Sequence, residues 1–289
     1  MEEPALVLAA GAEIAECPVW DQATGRLLWV DLYDSALHRF DPASGCDEVL
    51  RLEQPISAVA RRESGGYVAA CRDGFAAIDE DGSMRMLAEV EADRPDSRLN
   101  DGRCDHRGRF WAGTMADDMR PGAGALYRLG ADLRISRVLA DVGISNGMDW
   151  SADAALMYYV DSHSRTVDVF DFDVASGEVE NRRTLLRFLD GEGIPDGLTV
   201  DAEGCIWLAL PRAYSLHRYT PDGRLDRRLR FVVRLVTSCG FGGAALDELY
   251  VTTGARDLTA AQRVDRPEAG GIFRVRPGVV GQPPRAFAG

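Results

Sequence analysis

The sequence predicts an all-β fold: one domain over residues 1–289, a six-bladed β-propeller with four-stranded antiparallel blades around a central channel. Three observations carry this. A strand-like unit recurs six times, the recurrences are evenly spaced, and no long segment with a 3.6-residue apolar period competes with the strand pattern.

The unit is an Asp or Gly turn followed by a short β-rich run carrying an aromatic. It reads Gly25-Arg26-Leu27-Leu28-Trp29-Val30, then Gly65-Gly66-Tyr67-Val68-Ala69, then Gly108-Arg109-Phe110-Trp111-Ala112. It continues as Ala155-Leu156-Met157-Tyr158-Tyr159-Val160, Gly204-Cys205-Ile206-Trp207-Leu208 and Asp247-Glu248-Leu249-Tyr250-Val251. Anchored on Trp29, Tyr67, Trp111, Tyr158, Trp207 and Tyr250, the intervals are 38, 44, 47, 49 and 43 residues. That is about the length of a four-stranded blade. A further strand follows each anchor, at 36–40, 74–78, 124–129, 166–171, 215–219 and 271–275. Several run into hairpin turns such as Asp41-Pro42-Ala43-Ser44-Gly45 and Thr220-Pro221-Asp222-Gly223. Only 258–263 suggests a short helical turn. No blade buries both faces alone, so the repeats must pack radially. Ala5-Leu6-Val7-Leu8 and Pro284-Arg285-Ala286-Phe287 are both candidates to complete the last blade and protect its edge.

Composition narrows the function. A net charge of −13 argues against nucleic acid or an anionic membrane as partner, since phosphate binding needs a basic surface. No apolar run approaches a membrane span. The acidic Met1-Glu2-Glu3-Pro4 lacks the pattern of a signal peptide, so a cytoplasmic protein is expected, as a monomer or weak homo-oligomer. Six scattered cysteines form no C-x-x-C pair and read as a reduced, mostly buried set. Four histidines without an H-E-x-x-H make histidine–zinc catalysis an unpromising reading.

Repeat phase points to a site. Equivalent positions of the blades lie at equivalent height and radius, so one phase forms a ring around the axis. Stepping back 11 to 13 residues from each anchor reaches the head of that blade's innermost strand, at Glu16, Asn100, Asn146 and Asp196. The other two blades have Ile56 and Cys239 there, beside Ser57 and Ser238. Oxygen ligands converging on one axial point suit one divalent cation: Ca²⁺, Mg²⁺ or Mn²⁺, with Zn²⁺ tolerated. Gly102, Gly147 and Gly197 read as turn glycines beside this ring, and Pro195-Asp196-Gly197 as a tight bend aiming Asp196 inward.

The strings around the ring resemble the senescence marker protein 30, gluconolactonase and luciferin-regenerating enzyme family of six-bladed propellers. They are Glu16-Cys17-Pro18-Val19-Trp20, Arg98-Leu99-Asn100-Asp101-Gly102, Gly113-Thr114-Met115-Ala116, Ile144-Ser145-Asn146-Gly147-Met148-Asp149-Trp150 and Ile194-Pro195-Asp196-Gly197. Cys239-Gly240-Phe241-Gly242-Gly243 and Pro267-Glu268-Ala269-Gly270-Gly271-Ile272-Phe273 extend the likeness to nearly the whole chain. The resemblance implies hydrolysis of a sugar lactone with a divalent cation held by Glu16, Asn146 and Asp196. It implies contacts from Arg98 and Asn100 to substrate hydroxyls, and places an acidic substrate contact on Asp118, with Asp117 as the alternative. The chain departs from the family at Ala15, where glycine is usual, and at Leu210-Pro211-Arg212-Ala213-Tyr214, which replaces a glycine-rich stretch near the expected mouth.

A cation polarises the lactone carbonyl and stabilises the oxyanion that forms as water attacks. Asp196 either accepts the water's proton or only positions the nucleophile, because a cation lowers the carboxylate's pKa and weakens it as a base. Two other readings stand beside the lactonase: a propeller phosphotriesterase-type hydrolase and a non-catalytic metal- or ligand-binding propeller.

Overall fold

Each repeat closes as its own four-stranded antiparallel sheet, and the sheets follow one another around an axis. The computed structural model describes residues 3–289; Met1 and Glu2, which begin the acidic N-terminal stretch, lie outside the described residues. The first blade is Ala15–Asp21, Arg26–Asp31, Ala36–Asp41 and Cys46–Arg51. The second is Ile56–Arg61, Tyr67–Cys71, Gly74–Ile78 and Met84–Glu89, and the third Ser97–Cys104, Phe110–Ala116, Gly124–Leu129 and Ile135–Val142. Ser145–Trp150, Leu156–Asp161, Thr166–Phe172 and Val179–Arg187 make the fourth. Leu198–Val200, Ile206–Leu210, Ser215–Tyr219 and Leu225–Arg230 make the fifth. In the sixth, Leu235–Gly242, Glu248–Gly254 and Ile272–Val275 are completed by the N-terminal strand Ala5–Leu8. The N-terminal candidate therefore closes the ring, and the C-terminal one does not. The helical turn is Ala260–Asp265, capped by Thr259. Among the described residues no helix is long and apolar enough to cross a membrane.

All six aromatic anchors sit in the second strand of their blade and are fully buried. Burial falls outward: the innermost strand Ser145–Trp150 is buried throughout, whereas the outermost Cys46–Arg51 is mostly exposed. Aromatic pairs join blade to blade, with Trp111 edge-on to Trp150 at 5.7 Å and Trp20 stacked on Tyr250 at 5.9 Å. Five of the six cysteines are buried and all are free.

Two blades share a device for holding the anchor. Asp201 is fully buried; its Oδ1 accepts the Glu203 and Cys205 N–H groups, and its Oδ2 accepts Trp207 Nε1 (2.9 Å) and Arg218 Nε (2.8 Å). Asp105 does the same for Arg107, Arg109 and Trp111 six residues on. The Asp-x-x-Gly-x-x-Trp spacing thus ties a turn to the strand after it. Asp201→Ala leaves buried donors unpaired and should cost about 3 kcal/mol or more. A lower urea midpoint at unchanged slope would report it; an unchanged midpoint would refute it.

The innermost strands are not regular. Their pairing with the second strand slips between Glu16 and Val19, Ile56 and Ala58, Leu99 and Gly102, Ser145 and Met148, and Val236 and Ser238. Bulges at one phase re-aim side chains toward the axis. In the fifth blade Pro195-Asp196-Gly197 is extended rather than a tight bend: Asp196 N–H donates to Ala209 O (3.1 Å) and Ala209 N–H to Gly197 O (2.9 Å). Gly197 is there for space, since a Cβ would stand 2.1 Å from Ser238 Oγ. Gly102 and Gly147 likewise are close-approach glycines, not turn glycines, with neighbouring backbone atoms 2.6 and 2.4 Å from a built Cβ. Strands crowded around a narrow axis demand this.

Candidate metal centre

Three carboxyl groups approach one another at the head of the channel: Glu16, Asp101 and Asp196. Glu16 is buried at 7% exposure, and its Oε2 accepts the Cys17 N–H at 3.3 Å. Cys17 takes the left-handed conformation (φ 52°) that lets the chain turn after the glutamate, so Ala15, buried within its strand, is accommodated without a glycine. Asp196 is half-buried; its Oδ1 is sealed from solvent and has no hydrogen-bond partner. Asp101 accepts the Gly102 N–H at 2.7 Å.

Electrostatics mark the three as a unit. Burial, then the charges of Asp196 and Asp101, push the Glu16 carboxyl well above the ordinary range. Burial, then Asp101, does the same to Asp196, against the Asn146 amide and the Gly197 N–H. Burial also raises Asp101, with Arg103 opposing. Arg98 acts on Glu16 and Arg103 on Asp101, and Arg103 is committed elsewhere: it donates to Asp149 and to Thr199 Oγ1 (2.9 Å). Burial alone would raise Asp149, but Arg103 and Arg285 outweigh it and hold that carboxyl below its usual value.

Asn146, 7% exposed, donates its amide nitrogen to Ser162 Oγ (3.1 Å), and Ser162 donates to Pro195 O (2.6 Å). This chain orients the amide, and its oxygen accepts no hydrogen bond among the described residues. Glu16, Asn146 and Asp196 are therefore brought to one place, all offering oxygen. Among the described residues no three His, Cys, Asp or Glu side chains group closely enough to hold a metal by themselves, so the amide oxygen is a necessary member of the set. A buried orphan carboxylate oxygen on Asp196, the Asn146 amide oxygen and closely placed acids fit a hard divalent cation.

Asn100 lies beside this set, 8% exposed, its Nδ2 donating to Ser145 O (2.7 Å) and its Oδ1 accepting from Arg98 (2.8 Å). Arg98 is half-buried, with Tyr33, Asp117 and Glu16 in its field. Asp118 is exposed and paired with Arg120, which also holds Asp96. Asp117, exposed beside it, is paired with Arg72 at 3.1 Å and adds to the field at Arg98. Asp101 went unselected by repeat phase because phase admits one residue per blade, and the bulge between Leu99 and Gly102 brings in a second. An acid directly after Asn100 in the same strand was the available signal.

Residues 14–255 match the family description SMP-30/Gluconolactonase/LRE-like region. Regucalcin of Xenopus laevis is 40% identical over 291 residues, spanning 98% of this chain and 97% of its own. Among solved structures, a luciferin-regenerating enzyme superposes with a TM-score of 0.91 at 30% identity over 99% of both chains. A calcium-binding protein, regucalcin, of Agrobacterium tumefaciens superposes with a TM-score of 0.93 at 27% identity, over 99% of this chain and 97% of that one.

Proposed function

The chain belongs to the SMP-30/gluconolactonase/LRE-like family, and from that premise we propose that it is a divalent-metal-dependent lactonase that opens a sugar lactone at the head of the channel. The observation that carries this reading is Asp196: half-buried, one oxygen sealed without a partner, beside Asn146 and in the field of two more acids. Glu16, Asn146 and Asp196 would hold the cation. When bound, it supplies charge compensation and polarisation of the ester carbonyl.

This chain's own residues do the rest. Arg98 donates hydrogen bonds to substrate hydroxyls from a position fixed by Asn100 Oδ1, and Asp118, with Asp117 as the alternative, offers an acceptor from the loop after Ala116. Asp196 takes the proton of the attacking water on its carboxylate as the new bond to the carbonyl carbon forms. The bond from that carbon to the ring oxygen then breaks, the proton passes to the ring oxygen, and an open-chain hydroxy acid leaves. Burial of Glu16 and Asn100 keeps bulk water off the reacting carbon.

Protein purified without chelator should carry about one divalent ion per chain by elemental analysis. Hydrolysis of aldonolactones in a pH-stat should fall to background on chelation and return with added Ca²⁺, Zn²⁺, Mg²⁺ or Mn²⁺. Activity on organophosphates above that on every aldonolactone would reassign the site to phosphotriester hydrolysis. A stoichiometric ion with neither activity would leave a non-catalytic metal-binding propeller.

A further inference from the structure

We propose that the protein carries a second site, a pocket for the phosphate group of a phosphate monoester, set between the fourth and fifth blades away from the channel axis. A cavity of ≈ 550 Å³ opens there, and none of its lining residues belongs to the channel ring. Its floor is one face of the strand Ser215–Tyr219, from which Ser215, His217 and Tyr219 project at alternate positions, all buried. His217 bridges the two hydroxyls, with Nε2 3.1 Å from Ser215 Oγ and Nδ1 2.9 Å from Tyr219 OH.

The walls are basic. Arg230 is the cross-strand partner of Ser215, and Arg228 of His217, so both guanidinium groups rise on the face that carries the imidazole. Arg187, at the end of the fourth blade's outermost strand, and Arg212, on the loop before Ser215, complete the lining. None of these four arginines has an ion-pair partner among the described residues. The lining carboxylate, Glu192, accepts the Leu189 N–H at 2.7 Å.

A chain with 46 acidic and 33 basic residues has carboxylates to spare, and the same strand shows it. On its other face Arg218 is held by three of them, Asp201, Glu203 and Asp226. Like charges on neighbouring positions of one sheet face oppose folding. Leaving four arginines unpaired around a buried imidazole makes sense for an anion supplied from outside. Several planar guanidinium forks match the oxygens of a phosphate better than the two of a carboxylate. The cavity exceeds a phosphate ion, and Phe188, Leu186 and Ala213 give it an apolar side for the rest of an ester. Burial, then Arg228 and Arg230, push the His217 imidazole down to about 4, so it is neutral at pH 7 until an anion offsets those arginines.

The test uses the full chain with inorganic phosphate and a hexose 6-phosphate as probes in titration calorimetry. Saturable binding at one site per chain is expected, weakening with ionic strength. The double variant Arg228→Gln/Arg230→Gln should bind at least about tenfold more weakly. Both arginines are exposed, and the variant's thermal midpoint without phosphate should not fall. Arg224→Gln/Arg266→Gln, exposed arginines outside the pocket, should bind as the parent does. The His217 imidazole should titrate at higher pH when phosphate is present, read by its NMR shifts. Tighter binding of the hexose phosphate would identify an ester as the occupant, and equal binding the free anion. Absence of saturable binding, or full binding by the Arg228/Arg230 variant, would overturn the site. Asp196→Asn should leave phosphate binding intact, so this outcome is separate from the lactonase reading.

Discussion

Asp196→Ala should lower lactone hydrolysis by at least about 10³-fold, because one substitution removes a cation ligand and the proton acceptor together. The same change should not unfold the protein. Asp196 Oδ1 is sealed without a partner, and burial, then Asp101, pushes the carboxyl toward its neutral form. Deleting a buried group in that state relieves a cost, so the chelated variant should be at least as stable as the chelated parent. Asp196→Asn then separates the two roles. An amide keeps an oxygen for the cation but accepts no proton. If Asp196 is a ligand alone, activity of the Asn variant should recover substantially at high cation concentration. If it is the base, cation binding returns and kcat stays low. Full activity in the Ala variant would remove the site from this position, and a large loss of stability in the chelated Ala variant would contradict the electrostatics.

The repeat architecture was open to reading because each blade pays the same packing debt. An aromatic must be buried in the second strand at one height, so Trp29, Trp111 and Trp207 recur at blade spacing and mark the fold. The site was readable for the same reason, as phase converts spacing into a ring. What phase cannot carry is a local slip. The bulges at Glu16, Asn100 and Asn146 each add one residue to the innermost strand, and the one between Leu99 and Gly102 hid Asp101. Pro195-Asp196-Gly197 has the composition of a turn, yet Ala209 on the adjacent strand pairs with it as extended backbone, a tertiary constraint outweighing local preference. Asp118 and Asp117 are adjacent loop acids, each claimed by an arginine, Arg120 for Asp118 and Arg72 for Asp117, so a motif count alone does not separate them. The basic pocket between the fourth and fifth blades was invisible because Arg187, Arg212, Arg228 and Arg230 are spread over three segments of an acidic chain.

Removing residues 277–289 should cost the protein more stability than removing the N-terminal strand that closes its ring. The closing strand Ala5–Leu8 is exposed or half-buried along its length, so it protects an edge while burying little. The C-terminal segment instead runs beneath the propeller on the side opposite Asp196. The Val280 carbonyl accepts the Ala202 N–H, Gly281 N–H donates to Leu246 O, and Gln282 Nε2 donates to Trp150 O at 2.9 Å. Arg285 reaches Asp149 and His106, and Phe287 exchanges backbone bonds with Arg61 and Glu63. Five blades are thereby strapped by one strand of chain that lies beyond the residues matched to the family, 14–255. Phe287 is fully buried in the core that also holds Tyr67 and Phe110. Phe287→Ala alone should cost about 3–5 kcal/mol. The full truncation also strips Asp149 of Arg285, one of the two arginines that offset its burial. Since a domain's whole stability is about 5–15 kcal/mol, the truncated chain should unfold at a much lower urea concentration than one lacking residues 1–9. Equal midpoints for the two deletions would show that the strand, and not the strap, holds the ring closed.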